Sequence, residues 1–104
     1  MIAAEACSVL VARDATGRIV GTLTLVIFRI PTGVRARIED VIVDQQARGT
    51  GVGTALTEEA LELARAAGAR SVDLTSSPQR GAANALYRRA GFVERDTNVY
   101  RYVL

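Results

Sequence analysis

The chain has no histidine and a single cysteine, Cys7. A zinc centre and a histidine-based nucleophilic triad are therefore both out of reach, and a disulfide could form only between two chains. Charge of one sign is scarce too: 13 basic and 11 acidic residues leave a net +2. That excess is too small and too evenly spread to make nucleic acid the main partner; it suits phosphate groups better. No apolar run suggests a membrane span, and Met1 to Glu5 lacks the charged start and long apolar core of a secretory leader, which points to the cytoplasm. What is present, 104 residues with 49% hydrophobic and 23% charged, is ordinary for a soluble globular protein. A single domain over 1–104 with a modest core is expected.

Period and punctuation give the order of elements. Ser8 to Ala12 is a short apolar run, Asp14 to Gly17 a turn, and Ile19 to Ile30 a long run rich in Val, Ile, Thr and Leu, so the start of the chain reads as a β-hairpin. Pro31-Thr32-Gly33 breaks the run and Arg37 to Val43 supplies a third strand. From Val52 the apolar residues Val52, Ala55, Leu56, Ala60, Leu63, Ala64 and Ala67 keep helical spacing, and Gly68 ends the helix. A strand at Ser71 to Thr75 follows. Pro78 opens a second helical stretch on Ala83, Leu86, Tyr87 and Ala90, stopped by Gly91; Phe92 to Asp96 and Val99 to Val103 read as two closing strands. The order β-β-β-α-β-α-β-β predicts an α/β domain with a mixed, mainly antiparallel sheet.

Between the third strand and the first helix stands Arg48-Gly49-Thr50-Gly51-Val52-Gly53. Glycines at alternate positions let backbone pass close to a ligand, and the first amides of the helix have no partner of their own, so the turn suits an anion, with Arg48 as a further donor. It is not a Walker loop, because Gly53 is followed by Thr54 with no lysine near, and it misses the dinucleotide spacing, because the sixth position from Gly49 is Thr54. On this hexapeptide alone a tight strand-to-helix turn without a ligand stays open.

Arg48, Gly51 and Gly53, read as Arg-x-x-Gly-x-Gly, resemble the pyrophosphate loop of the GNAT N-acetyltransferase superfamily. Ala83 to Phe92, with Leu86-Tyr87 followed by Gly91-Phe92, resembles the family's second signature, and Ile38 to Asp44 resembles the strand that runs beside the pantetheine arm. The likeness extends from about Ser8 to Leu104 and implies acetyl-CoA as cosubstrate, no metal, and direct attack of an amine on the thioester. The implied cofactor-binding residues are Val41, Ile42 and Val43 on the strand, Arg48, Gly49, Thr50, Gly51, Val52, Gly53 and Thr54 in the loop, and Arg80 and Asn84 on the second helix, where an exposed arginine can also be merely solvated.

Such chemistry needs a base, donors for the carbonyl and an acid for the thiolate. Glu39 is the first candidate base; equally, it could be a surface carboxylate paired with Arg37. Asp40 is the alternative, since the related glucosamine-6-phosphate N-acetyltransferases also carry Ile-Glu-Asp here. Adjacent strand residues point to opposite faces, so at most one of the two should face the site. Tyr87 is the candidate acid, its hydroxyl being neutral at pH 7; the plainer reading is that it packs with Ala83, Leu86 and Ala90.

The family core usually carries a strand and two helices ahead of the hairpin, and here only about seven residues precede it. The chain is then either part of a longer protein or a short form that completes its acceptor pocket with a second subunit. Uncovered apolar surface around Val9, Val11 and Ile19 to Ile30 predicts a homodimer. The functional expectation is an acetyl-CoA dependent N-acetyltransferase acting on a small-molecule or peptide amine, with neither nucleic acid nor membrane as partner; a CoA-binding module of weak or lost activity is the alternative, and an α/β interaction domain a third.

Overall fold

A computed structural model describes residues 5–76 and 79–104. Strands β1 (Glu5–Arg13), β2 (Ile19–Ile30) and β3 (Gly33–Val43) precede a 3₁₀ turn at Gln45–Ala47, helix α1 (Val52–Ala66), the short strand β4 (Val72–Asp73) and helix α2 (Gly81–Arg89). The sheet order is β1-β2-β3-β4. The first three strands pair antiparallel, and β4 joins β3 in parallel through Ala36 and Arg37. This is the mixed, mainly antiparallel α/β sheet expected from the order of elements.

The β1–β2 turn is locally encoded. Asp14 Oδ1 accepts from the backbone amides of Thr16 (2.9 Å) and Arg18 (3.1 Å) and from the Thr16 hydroxyl (2.6 Å). These bonds, the Thr16 hydroxyl foremost, hold the Asp14 carboxyl below its usual value. Arg18 then reaches across to Asp44 at 2.6 Å, tying the hairpin to the end of β3.

One sheet face is the core. Leu23 and Leu25 of β2 and Ala36 and Ile38 of β3 bury against Leu56, Ala60 and Ala64 of α1, the residues that helical spacing put on one stripe. Gly21 permits this approach: a Cβ there would lie 2.6 Å from Val52 Cγ1. The other face is open. Residues opposite one another across a ladder share a face, so the pairings Val9–Thr24–Glu39, Cys7–Val26–Arg37 and Val11–Thr22–Ile42 form one surface. On it Val9 is 63%, Val11 45% and Ile42 63% exposed, which is the uncovered apolar strand surface foreseen for Val9 and Val11.

Two expectations change. Phe92 to Asp96 and Val99 to Val103 form no strand; the segment after α2 has no sheet partner among the described residues. Phe92 packs against the core, but Val99, Tyr100, Tyr102 and Val103 are exposed. Strand propensity there is real, but a strand needs a neighbour, and β4 pairs only on its β3 side. Secondly, β3 does not keep strict alternation. Thr22 pairs with Ile42 while Thr24 pairs with Glu39, so β3 carries one extra residue, and Asp40 has φ of +52°. This is a β-bulge. Without it Asp40 would follow Ile38 onto the core face; with it Asp40 is exposed and Val41 packs against the core. The Pro78 start assigned to the second helix lies outside the described residues, as do Met1 to Ala4.

Candidate active site

Beyond Val43 the chain turns through Asp44, whose carboxylate accepts from the Gln46 amide, and through Arg48 in extended conformation, into Gly49 (φ +82°) and Gly51 (φ +88°). Gly51 is the N-cap of α1 in the left-handed region, and no side chain caps the helix. The first backbone bond of α1 runs from Ala55 N to Gly51 O at 2.9 Å, so the amides of Val52, Gly53 and Thr54 are the ones a helix start leaves for an outside acceptor. A Cβ on Gly49 or Gly51 would meet nothing within 4 Å, whereas one on Gly53 would lie 3.0 Å from Leu86 Cδ1. The glycines therefore divide the work: Gly49 and Gly51 set left-handed backbone, and Gly53 admits Leu86 of α2. What approaches closely at Gly53 is a helix. That contact places α2, and with it Tyr87, against the loop that begins α1.

A cleft of about 330 Å³ is lined by Ile38, Glu39, Asp40, Val41 and Ile42 of β3, Leu74 and Thr75 beyond β4, and Arg80 and Tyr87 at α2. The strand residues Val41 and Ile42 and both candidate carboxylates thus come together with the candidate acid. Strict alternation would have admitted only one carboxylate; the bulge at Asp40 brings both to the rim. Arg37 Nε donates to Glu39 Oε1 at 2.9 Å, with both side chains partly exposed. Glu39 is thus at once a cleft residue and the partner of Arg37.

Tyr87 is half-buried and packs edge-on against Phe92, ring centroids 5.8 Å apart. Burial raises its phenol above the ordinary value, and the nearby Arg80 guanidinium opposes the rise. Packing and chemistry are therefore compatible here: the ring packs, and the hydroxyl keeps its proton at neutral pH.

A second cavity, a groove of about 840 Å³, runs from Val72 to Ser76 past α2 to residues 92–99. It shares Leu74, Thr75 and Tyr87 with the cleft, so the two are continuous around the phenol. Asn84 lies on this groove and not on the cleft, which parts it from Arg80. Val43 lies beneath Gly53, and Arg48 is exposed at the loop. Sequence reasoning missed Leu74, Thr75 and Ser76, although the carboxyl end of a parallel strand is where ligand crevices open. Ser76 Oγ is buried there with no hydrogen-bond partner among the described residues.

An uncapped, glycine-started helix and a cleft holding two carboxylates and a neutral phenol lie on one mixed α/β domain, and comparison with known proteins gives the family. The chain belongs to the Acetyltransferase (GNAT) family, which matches residues 1–92. It is similar to glucosamine 6-phosphate N-acetyltransferase of Trypanosoma brucei brucei (41% identity, 74% of this chain and 52% of that one). It also resembles glucosamine 6-phosphate N-acetyltransferase 1 of Oryza sativa subsp. japonica (34%, 90% and 58%). A solved putative acetyltransferase from Agrobacterium tumefaciens superposes with a TM-score of 0.85 at 30% identity over 93% of this chain and 69% of that one. The chain spans between 27% and 58% of the length of the curated relatives it matches. Among the described residues no helix is long and apolar enough to cross a membrane.

Proposed function

We propose that the domain over 1–104 transfers an acetyl group from acetyl-CoA to a primary amine by direct attack. The observation that carries this reading is the cleft that Tyr87 shares with Glu39 and Asp40, on a helix whose Leu86 packs at Gly53 of the uncapped α1 start. The amides of Val52, Gly53 and Thr54 and the Arg48 guanidinium receive the pyrophosphate, Val41 to Val43 run beside the pantetheine arm, Asn84 of α2 hydrogen-bonds that arm, and Arg80 reaches a phosphate. As the amine nitrogen bonds to the acetyl carbon, Glu39, or Asp40 or a water held by either, takes its proton. The carbon–sulfur bond breaks, and Tyr87 gives its proton to the departing sulfur and regains one from water.

The acceptor in this proposal is a small amine of the kind named in its relatives, glucosamine 6-phosphate among them, met in the cytoplasm. The open sheet face around Val9, Val11 and Ile42 supports a homodimer in which each copy covers the other. Calorimetry tests the first step: acetyl-CoA should bind and NAD should not, and equal affinities would remove the reading. Thiol release with a panel of amines including glucosamine 6-phosphate tests the second. Glu39→Gln should lower turnover about 10²–10⁴-fold if Glu39 is the base; unchanged turnover would leave Glu39 as the partner of Arg37 only. The alternative, a CoA-binding module without activity, predicts binding but no thiol release with any amine.

A further inference from the structure

Helix α1 starts without a side-chain cap, and residues 44–51 ahead of it belong to no strand. The base of this loop is held by a run of polar contacts that begins in a different turn. Asp14 Oδ1 accepts from the Arg18 amide at 3.1 Å, which fixes the backbone from which the Arg18 side chain leaves. Arg18 Nη2 donates to Asp44 Oδ2 at 2.6 Å. The other oxygen, Asp44 Oδ1, accepts from the Gln46 amide at 3.2 Å, and the Asp44 carbonyl accepts from the Ala47 amide at 2.9 Å. The Ala47 carbonyl in turn accepts from the Thr50 amide at 3.2 Å and from the Thr50 hydroxyl. The two oxygens of one carboxylate thus have separate partners: the β1–β2 turn grips one, and the other orders the backbone ahead of Arg48 and Gly51.

Exposure argues against a large share in global stability. The Arg18 side chain is 60% and the Asp44 side chain 25% exposed, and an ion pair so open to water adds little to folding. Its effect is local. A carboxylate held at both oxygens keeps one orientation, and the backbone bonded to it keeps that form too. Without Arg18, Asp44 would stand as an unpaired negative charge at the base of a loop proposed to take an anion. We propose that Arg18 is a positioning residue for cosubstrate binding: through Asp44 it fixes the Arg48 to Gly53 loop in the form that receives the pyrophosphate. The inference rests on the function proposed above for that loop.

Hydrogen exchange tests it without ligand. In the free protein, Arg18→Ala should speed exchange of the Gln46, Ala47 and Thr50 amides about three- to tenfold and leave those of Leu23 and Leu25 unchanged. Unchanged rates in the loop overturn the proposal, whatever the loop binds. In calorimetry Arg18→Ala should weaken acetyl-CoA about three- to tenfold, with KM for acetyl-CoA rising alike and kcat at saturation unchanged. Arg18→Lys, which keeps a donor for Asp44, should recover most of the loss. The double variant Arg18→Ala/Asp44→Asn should bind no more weakly than Arg18→Ala, because the partner through which Arg18 acts is already disconnected. Additive losses would mean that Arg18 meets a phosphate itself, and an Arg18→Ala affinity equal to wild type would mean that the loop needs no such hold; either overturns the proposal. A wild-type chain that binds no acetyl-CoA removes instead the function proposed for the loop, and faster exchange alone would then leave Arg18 a structural residue only.

Discussion

The two halves of this molecule are built to different standards. The half made by β2, β3 and α1 holds every fully buried apolar side chain among the described residues: Leu23, Leu25, Ala36, Ile38, Leu56, Ala60 and Ala64. The half made by β4, α2 and the residues after it holds none; α2 has no buried residue and touches the first half through partly buried groups such as Phe92, Leu74 and the Leu86 contact at Gly53. The glycine loop before α1 is anchored in the packed half and Tyr87 rides on the other. Recognition of a common cosubstrate gains from rigidity, whereas a cleft that must admit an acceptor and release a product is better drawn from the less stable part of a fold.

The sharpest way to break that comparison is by core truncation. Leu25→Ala is expected to cost about 2–5 kcal/mol in urea unfolding, and Leu86→Ala only about 1 kcal/mol, because its side chain is incompletely buried. Equal costs would erase the distinction between the halves.

Tyr87→Phe should lower turnover about ten- to a thousandfold, roughly 1.4–4 kcal/mol of barrier, with acetyl-CoA affinity nearly unchanged because the Phe92 edge contact survives. Its pH signature has a definite sign. The folded phenol titrates above its unfolded value, so its contribution to stability is complete below about pH 10 and is lost as pH rises through the folded value. Wild-type protein should lose stability across that alkaline window more steeply than Tyr87→Phe, as followed by melting temperature. Identical slopes would mean that burial does not hold the proton.

Gly51 and Gly53 separate the loop from the helix contact. Gly51→Ala puts a side chain at φ +88° in otherwise open space; the strain costs about 1–2 kcal/mol, and acetyl-CoA binding should weaken while the fold persists. Gly53→Ala adds a methyl 3.0 Å from Leu86 Cδ1 and should shift α2 and lower turnover before it lowers affinity. If both act on affinity alone, Gly53 belongs to the anion site only. The smallest effect is expected at Arg37→Ala. Its 2.9 Å pair with Glu39 is partly exposed to solvent, so the loss of stability should be about 0.2–1 kcal/mol and fade with added salt.

Much of the site is legible in the residues themselves. The Asp14 to Gly17 turn, the stripe from Val52 to Ala64 and the uncapped start after Gly51 are local features whose causes lie within a few residues of one another. The meeting of Glu39 with Arg37 is legible too, as neighbours on one strand face. The bulge is not, because nothing in Ile38-Glu39-Asp40-Val41 marks an extra residue; the demand comes from β2, whose Leu23 and Leu25 fix which face is core. Gly53 reads as part of the anion cradle because Leu86, the residue that needs its space, is more than thirty positions away.

The sequence by itself determined the hairpin, both helices and the glycine turn before α1, since these depend on local periodicity and turn chemistry, while its likeness to the family named the acid, base and cofactor-binding candidates. Tertiary structure decided that both carboxylates share one cleft, that Tyr87 is half-buried with its proton held, and that the residues after α2 form no strand. Each of those outcomes depends on which distant backbone or side chain is adjacent. Adjacency in space is fixed only when the sheet, the bulge and the α1–α2 contact close together.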